Sequence, residues 1–135
     1  MADTFQLEIV TPEKKVVQDV AEEMQLPGKN GYLGILPGHA PLITELAVGA
    51  ITYRNGSETH HLAVAWGFAE VLPEKVTVLA ETCEEAGEID VQRAEKAKQR
   101  AEEHLQSANP ETDYQRATSA LMKAETRLEV AKKAE

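Results

Sequence analysis

Five cations in the last third of the sequence fall at helical spacings. Arg93 and Arg100 are seven residues apart, and Arg116, Lys123 and Arg127 are separated by seven and then four. Residues seven apart share one face of a helix, so each set forms a stripe. Arginine forks match the oxygens of phosphate, and a helix start near Asp90 offers free N–H groups to the same kind of ligand. If the two helices close on each other, the stripes could converge on one anion-binding groove. The competing reading is a solvated flank in which these cations pair with Glu95, Glu102 and Glu129.

Other chemistry is thinner. His60 and His61 are adjacent in a strand-like run, so their side chains face opposite sides and do not chelate one metal together. Adding His39 and Cys83 gives no spacing of the C-x₂-C or H-x₃-H kind, so the histidines read as surface and edge residues. Cys83 has no His-Asp arrangement around it and reads as a small, partly buried side chain. No G-x-S-x-G, G-x-G-x-x-G or P-loop pattern occurs. The expectation is a chain that binds partners and catalyses nothing.

The elements that carry these residues fall into two halves. Residues 1–87 hold 13 acidic and five basic side chains, while residues 88–135 hold ten and nine. An acidic first half argues against nucleic acid as a partner, since phosphate contacts need clustered Lys and Arg. A single cysteine suits a reducing compartment, no run is apolar enough to cross a bilayer, and the acidic start is unlike a signal peptide. Phe5, Leu7 and Ile9 alternate with Gln6, Glu8 and Val10, which is a half-buried strand. Thr11-Pro12-Glu13-Lys14 reads as a turn. Asn55-Gly56 between Ile51–Arg54 and Glu58–Leu62 is a hairpin signal. Leu62–Phe68 is apolar on both faces, like a central strand, and Trp66 and Phe68 place the best-packed region there. Pro73-Glu74 separates it from the strand Val76–Ala80. Turn signals every eight to twelve residues give an all-β sandwich or barrel over residues 1–87. Within it, residues 27–41, with four glycines and three prolines, read as a turn-rich surface loop that presents Tyr32 and His39.

After Gly87 the period becomes about 3.5. Ala94, Ala97, Ala101 and Ala108, with Leu105 adjoining, face Tyr114, Ala117, Leu121, Ala124, Leu128 and Ala131 across an alanine-rich seam. Asp90 caps the first helix, and Asn109-Pro110 ends it and restarts the second. Residues 88–135 are therefore expected to form an α-helical hairpin with helices near 90–107 and 111–133. Half a dozen alanine contacts contribute only about 5 kcal/mol, and ordering the second helix costs backbone entropy of at least that order. Each helix keeps its own propensity when detached. Such a hairpin can open without melting.

These residues also match a family. Gly31-Tyr32-Leu33-Gly34-Ile35-Leu36-Pro37-Gly38-His39-Ala40-Pro41-Leu42 resembles the G-x-L-G-I-x-P-G-H-A-P-L block of the epsilon subunit of bacterial F-type ATP synthase. Trp66–Val71 resembles its G-G-F-x-E-V strand and Val76–Ala80 the strand after it. The resemblance spans essentially all 135 residues. It implies a β-sandwich bound to the gamma subunit and the c-ring, followed by helices that fold on the sandwich or extend along gamma. Extended, they would reach the alpha and beta subunits and block ATP hydrolysis. It implies c-ring contact through the Tyr32 to His39 region, where the family more often has an acidic residue at the position of Tyr32. It implies no obligatory cofactor, with ATP as a regulatory ligand of the folded hairpin. The family motif I/L-D-x-x-R-A stands here as Ile89-Asp90-Val91-Gln92-Arg93-Ala94, with Glu84, Arg100, Lys123 and Arg127 as the matching outer positions. Lys123 replaces an arginine of the tight binders. The implied location is peripheral, at the cytoplasmic face of the cell membrane. The alternative is a free-standing nucleotide-sensing or adaptor module with an unrelated partner.

Overall fold

Alternating apolar residues build seven strands before the first helix, and the computed structural model describes them within residues 3–134. They are β1 (Phe5–Val10), β2 (Lys15–Ala21), β3 (Glu23–Gly28), β4 (Gly31–Ile35), β5 (Leu42–Asn55), β6 (Glu58–Val71) and β7 (Lys75–Glu85). They hydrogen-bond in the order β2-β1-β7-β6-β5-β3-β4. The β1–β7 pair alone is parallel; the other pairs are antiparallel.

The long strands turn this one sheet into a sandwich. In β5 the core takes Leu46, then Ile51 and Tyr53; in β6 Leu62 and Val64, then Ala69 and Val71; in β7 Val78 and Ala80, then Cys83. Each strand switches from even to odd positions on its inner face. The switch lies on one line across the sheet, where Leu46 faces Gly67 and Gly67 faces Ala80. There Trp66 has φ 54° and Gly67 φ 123°. Two successive left-handed residues exchange the faces of a period-two strand. Gly67 has no substitute, because a Cβ would lie 2.0 Å from the Leu79 carbonyl oxygen. Side chains from all seven strands then meet in one core. The switch also turns Phe68 outward, 53% exposed, and leaves Trp66 half-buried. The expected best-packed run is thus a corner, not the core.

Two other expectations shift. The glycine- and proline-rich stretch contains the β3–β4 hairpin, with Pro27 and Gly28 buried and Lys29-Asn30 at its tip. The β3–β5 register breaks between Gln25 and Gly28, which accommodates the missing N–H of Pro27. Ala50 N–H, on β5 near this break, donates instead to the Tyr32 hydroxyl at 2.9 Å. In the β5–β6 hairpin, Asn55 pairs with Glu58. The turn is therefore Gly56-Ser57, one residue later than the Asn55-Gly56 signal, with positive φ at Gly56 only, as a II′ turn requires.

A short 3₁₀ turn, Ala86–Glu88, leads to α1 (Val91–Gln106) and α2 (Tyr114–Ala131), followed by a 3₁₀ turn at Lys132–Ala134. Asp90 caps α1 by accepting from Arg93 N–H at 3.1 Å. The first helix ends at Gln106, so Ala108 lies beyond it and is exposed. Pro110 does not restart the second. Asn109 Oδ1 accepts from Glu111 N–H in an Asx turn, and Asp113 caps α2 through Arg116 N–H. An Asx turn competes with helical hydrogen bonding, which delays the helix to Tyr114. Ala94, Ala101, Ala117 and Ala124 are buried, as the alanine seam requires, whereas Tyr114 is exposed and sends its hydroxyl to the Ser107 carbonyl.

Candidate functional site

The outer face of β5 and β6 is built to receive a helix. Ala50, Ala63 and Ala65 present only methyl groups there, and α2 lies against them. Ile89, Ala63 and Val130 form a small second core, with Ala50, Ala86 and Ala131 packed around it. This cluster fixes one end of the hairpin to the sandwich. Beside it the small side chains leave a cavity of about 250 Å³ between α2, α1 and the sheet. Its walls are mostly apolar, from Val48, Ala63, Ala65, Ala97, Ala120 and Ala124.

Three charged groups, one acidic and two basic, meet in that cavity: Glu84 on β7, and Lys123 and Arg127 on α2. Arg127 Nε lies 2.7 Å from Glu84 Oε1, and its Nη2 donates to Oε2 at 3.2 Å. Both partners are partly shielded from solvent; the Nη2 contact is the hydrogen bond of the pair, while Nε is close to the carboxylate without being aligned to donate to it. Lys123 Nζ stands 4.7 Å from the centre of the Trp66 ring. Arg127 and Lys123 are one helical turn apart, so α2 grips two strands at successive turns.

The structure brings together only part of the expected cation set. Glu84, Lys123 and Arg127 share the cavity with Ala97. Ile89 and Ala94 are buried close by, and Asp90 holds the start of α1. Arg93 and Arg100 are exposed on α1, outside the cavity lining. The two stripes therefore do not converge on one groove in this arrangement. Trp66, which sequence spacing does not connect to the tail, belongs to the site; its signal was its place beside Gly67.

Elsewhere the chemistry-bearing residues have local partners. His60 stacks on Tyr53 at 4.7 Å and His61 bonds Thr52 at 3.2 Å, on opposite faces of β6 as alternation requires. Burial pushes the Cys83 thiol up to about 12, assisted by Glu84 and Glu85, so it stays protonated and unreactive at neutral pH. His39 Nδ1 lies 2.7 Å from its neighbour's carbonyl at Ala40. Tyr32 is 59% exposed although its hydroxyl is engaged. Among the described residues no three His, Cys, Asp or Glu side chains are grouped to hold a metal, and no helix is long and apolar enough to cross a membrane.

Known proteins share this fold. Residues 4–86 match the family described as ATP synthase, Delta/Epsilon chain, beta-sandwich domain, and residues 88–132 match its long alpha-helix domain. The ATP synthase epsilon chain of Koribacter versatilis is 69% identical over 111 residues, covering 82% of this chain and 78% of that one. That of Syntrophobacter fumaroxidans is 47% identical over 133 residues, covering 98% and 99%. A chain of the Euglena gracilis mitochondrial ATP synthase has the same fold, with TM-score 0.82 at 23% identity over 97% of this chain and 82% of that one. The chain belongs to the ATP synthase delta/epsilon family, among the bacterial epsilon chains.

Proposed function

We propose that the helical tail is a releasable brake on ATP hydrolysis, docked on the sandwich in this structure. Epsilon chains are non-catalytic subunits of the ATP synthase central stalk, and the catalytic sites lie in other subunits. The observation that carries the brake is the contact between α2 and the sheet. It rests on alanine methyls, one small apolar cluster and two cationic side chains over a cavity. Little apolar area holds the hairpin down, while capped helices persist when it lifts. Extended, the helices would lie along gamma and contact the alpha and beta subunits.

On the sandwich, Phe68 and Leu79 face each other across β6 and β7, with Ile43 diagonal to Phe68, and all three are largely exposed. Such a strip is unusual on a solvated sheet face and fits a protein partner. We assign it to the gamma subunit. Exposed Tyr32 and Leu36, with His39, lie in the region proposed for the c-ring. The subunit would thus sit peripherally, at the cytoplasmic face of the cell membrane.

ATP is proposed as the ligand that favours the docked tail. The cavity supplies an apolar wall and two cations, and Arg93 and Arg100 stand on the neighbouring helix. A ligand shifts this equilibrium only by binding the docked state better than the extended one. The test is calorimetric titration of the full chain with ATP, with and without magnesium. The unaltered chain should give a saturable binding heat, and Lys123→Met combined with Arg127→Met, which removes both cations of the cavity, should abolish it. Equal heats from both chains would remove these residues from the site.

A further inference from the structure

We infer that Trp66 is the latch of the tail, holding α2 on the sandwich through the charge of Lys123. The inference rests on the reading that the tail undocks, and it names the contact that resists undocking. Trp66 occupies the left-handed region at φ 54°, and it is the only residue other than glycine to do so among those described. A bulky residue there is rare and persists only where its surroundings over-determine it. The surroundings are the corner itself. Gly67, at φ 123°, packs so tightly on β7 that a Cβ would lie 2.8 Å from Ala80 Cα. The indole is therefore carried at a point where β6 packs tightly on β7, and Lys123 Nζ stands over it at 4.7 Å.

The rest of the α2 stripe facing the sheet explains why one contact matters. Ala120 and Ala124 flank Lys123 and offer methyl groups alone, and Arg127 is the only other charged side chain of the cavity on that helix. Arg127 already has its partner in Glu84. Lys123 instead faces a π-surface, which attracts a cation without neutralising its charge. The latch thus leaves a full positive charge at the rim of the cavity while it holds the helix down.

Native-state hydrogen exchange on the full chain tests this, comparing α2 amides near Lys123 with β6 core amides at Leu62–Val64. In the unaltered chain α2 should exchange faster than β6, by local opening. Lys123→Met keeps the aliphatic stem and removes the charge. It should speed α2 exchange about two- to thirty-fold, the span that a cation–π contact supplies, and leave β6 unchanged. Lys123→Arg should keep the protection. Trp66→Leu should match Lys123→Met or exceed it, and the double variant should be no faster than Trp66→Leu alone. Trp66→Gly relieves the left-handed backbone, so it should loosen α2 without weakening β6. If α2 opens locally but Lys123→Met leaves its rate unchanged, or the two effects multiply, the latch is wrong while the undocking stands. If α2 and β6 are equally protected in the unaltered chain, both are wrong.

Discussion

Gly67 and Trp66 show how one dipeptide sets both the course of a strand and the surface that strand offers to the tail. Gly67 lets β6 change faces against the β7 backbone, and Trp66 then points a ring at the tail. Gly67→Ala puts a methyl 2.0 Å from a carbonyl oxygen at a φ of 123°. It should destabilise the chain by about 3 kcal/mol or more, read as a lower denaturant midpoint. Tyr53 is the polar counterpart. Its hydroxyl donates to Asp19 Oδ2 at 3.0 Å, tying β5 to β2, and Asn55 donates to the other oxygen at 3.1 Å. Burial opposes the Asp19 charge, but hydrogen bonds from Val20 N–H, Tyr53 and Asn55 outweigh it and hold the carboxyl below its ordinary range. Tyr53→Phe should therefore cost about 1 kcal/mol at neutral pH, and the difference should shrink in acid as Asp19 protonates. A denaturation series at pH 7 and pH 3 reads both effects.

Strands and helices differ in how far the sequence exposes them. The caps and the alternation of β1 could be read because they depend on neighbours in the chain: Asp90 needs only Arg93 N–H, and Phe5, Leu7 and Ile9 need only period two. The β3–β4 hairpin could not, because its glycines and prolines look like a loop until β5 supplies the pairing partner. The late start of α2 was hidden in the same way, since Asn109 and Asp113 are both credible caps and only the Asx turn at Asn109 decides between them. The cation stripes carried true helical spacing, yet α2 docks through Lys123 and Arg127 while Arg93 and Arg100 remain outside. Docking direction is a tertiary property that spacing does not contain. The elements also set an acid response. Burial, then the charges of Lys133 and His60, hold the His61 pKa below its ordinary value. Unfolded chain thus binds its proton more readily, and stability should fall as pH drops below about 6.5. Asp19 and Glu22, both held low, should add a second loss as pH falls below about 4. Unfolding midpoints from pH 8 to pH 3 should show two steps; a flat profile between pH 7 and pH 5.5 would remove His61 from the account.

Taken whole, the molecule is a seven-stranded sandwich with a helical hairpin resting on a small contact. Seven strands close one continuous core, whereas the tail rests on Ile89, Val130, alanine methyls, the Lys123–Trp66 contact and the Arg127–Glu84 ion pair. That asymmetry is what a brake needs, because the part that moves must cost far less to detach than the part that anchors it costs to unfold. It also fixes where the tail can be removed. β7 continues to Glu85 and Cys83 lies in the core, so a cut that spares the sandwich belongs after Glu88. The deciding measurement is the ATP hydrolysis rate of the assembled ATP synthase carrying either the intact chain or residues 1–88. A tail that brakes predicts a several-fold higher rate with residues 1–88, with the shortened chain still bound in the complex. An unchanged rate in a complex that retains the shortened chain would contradict it.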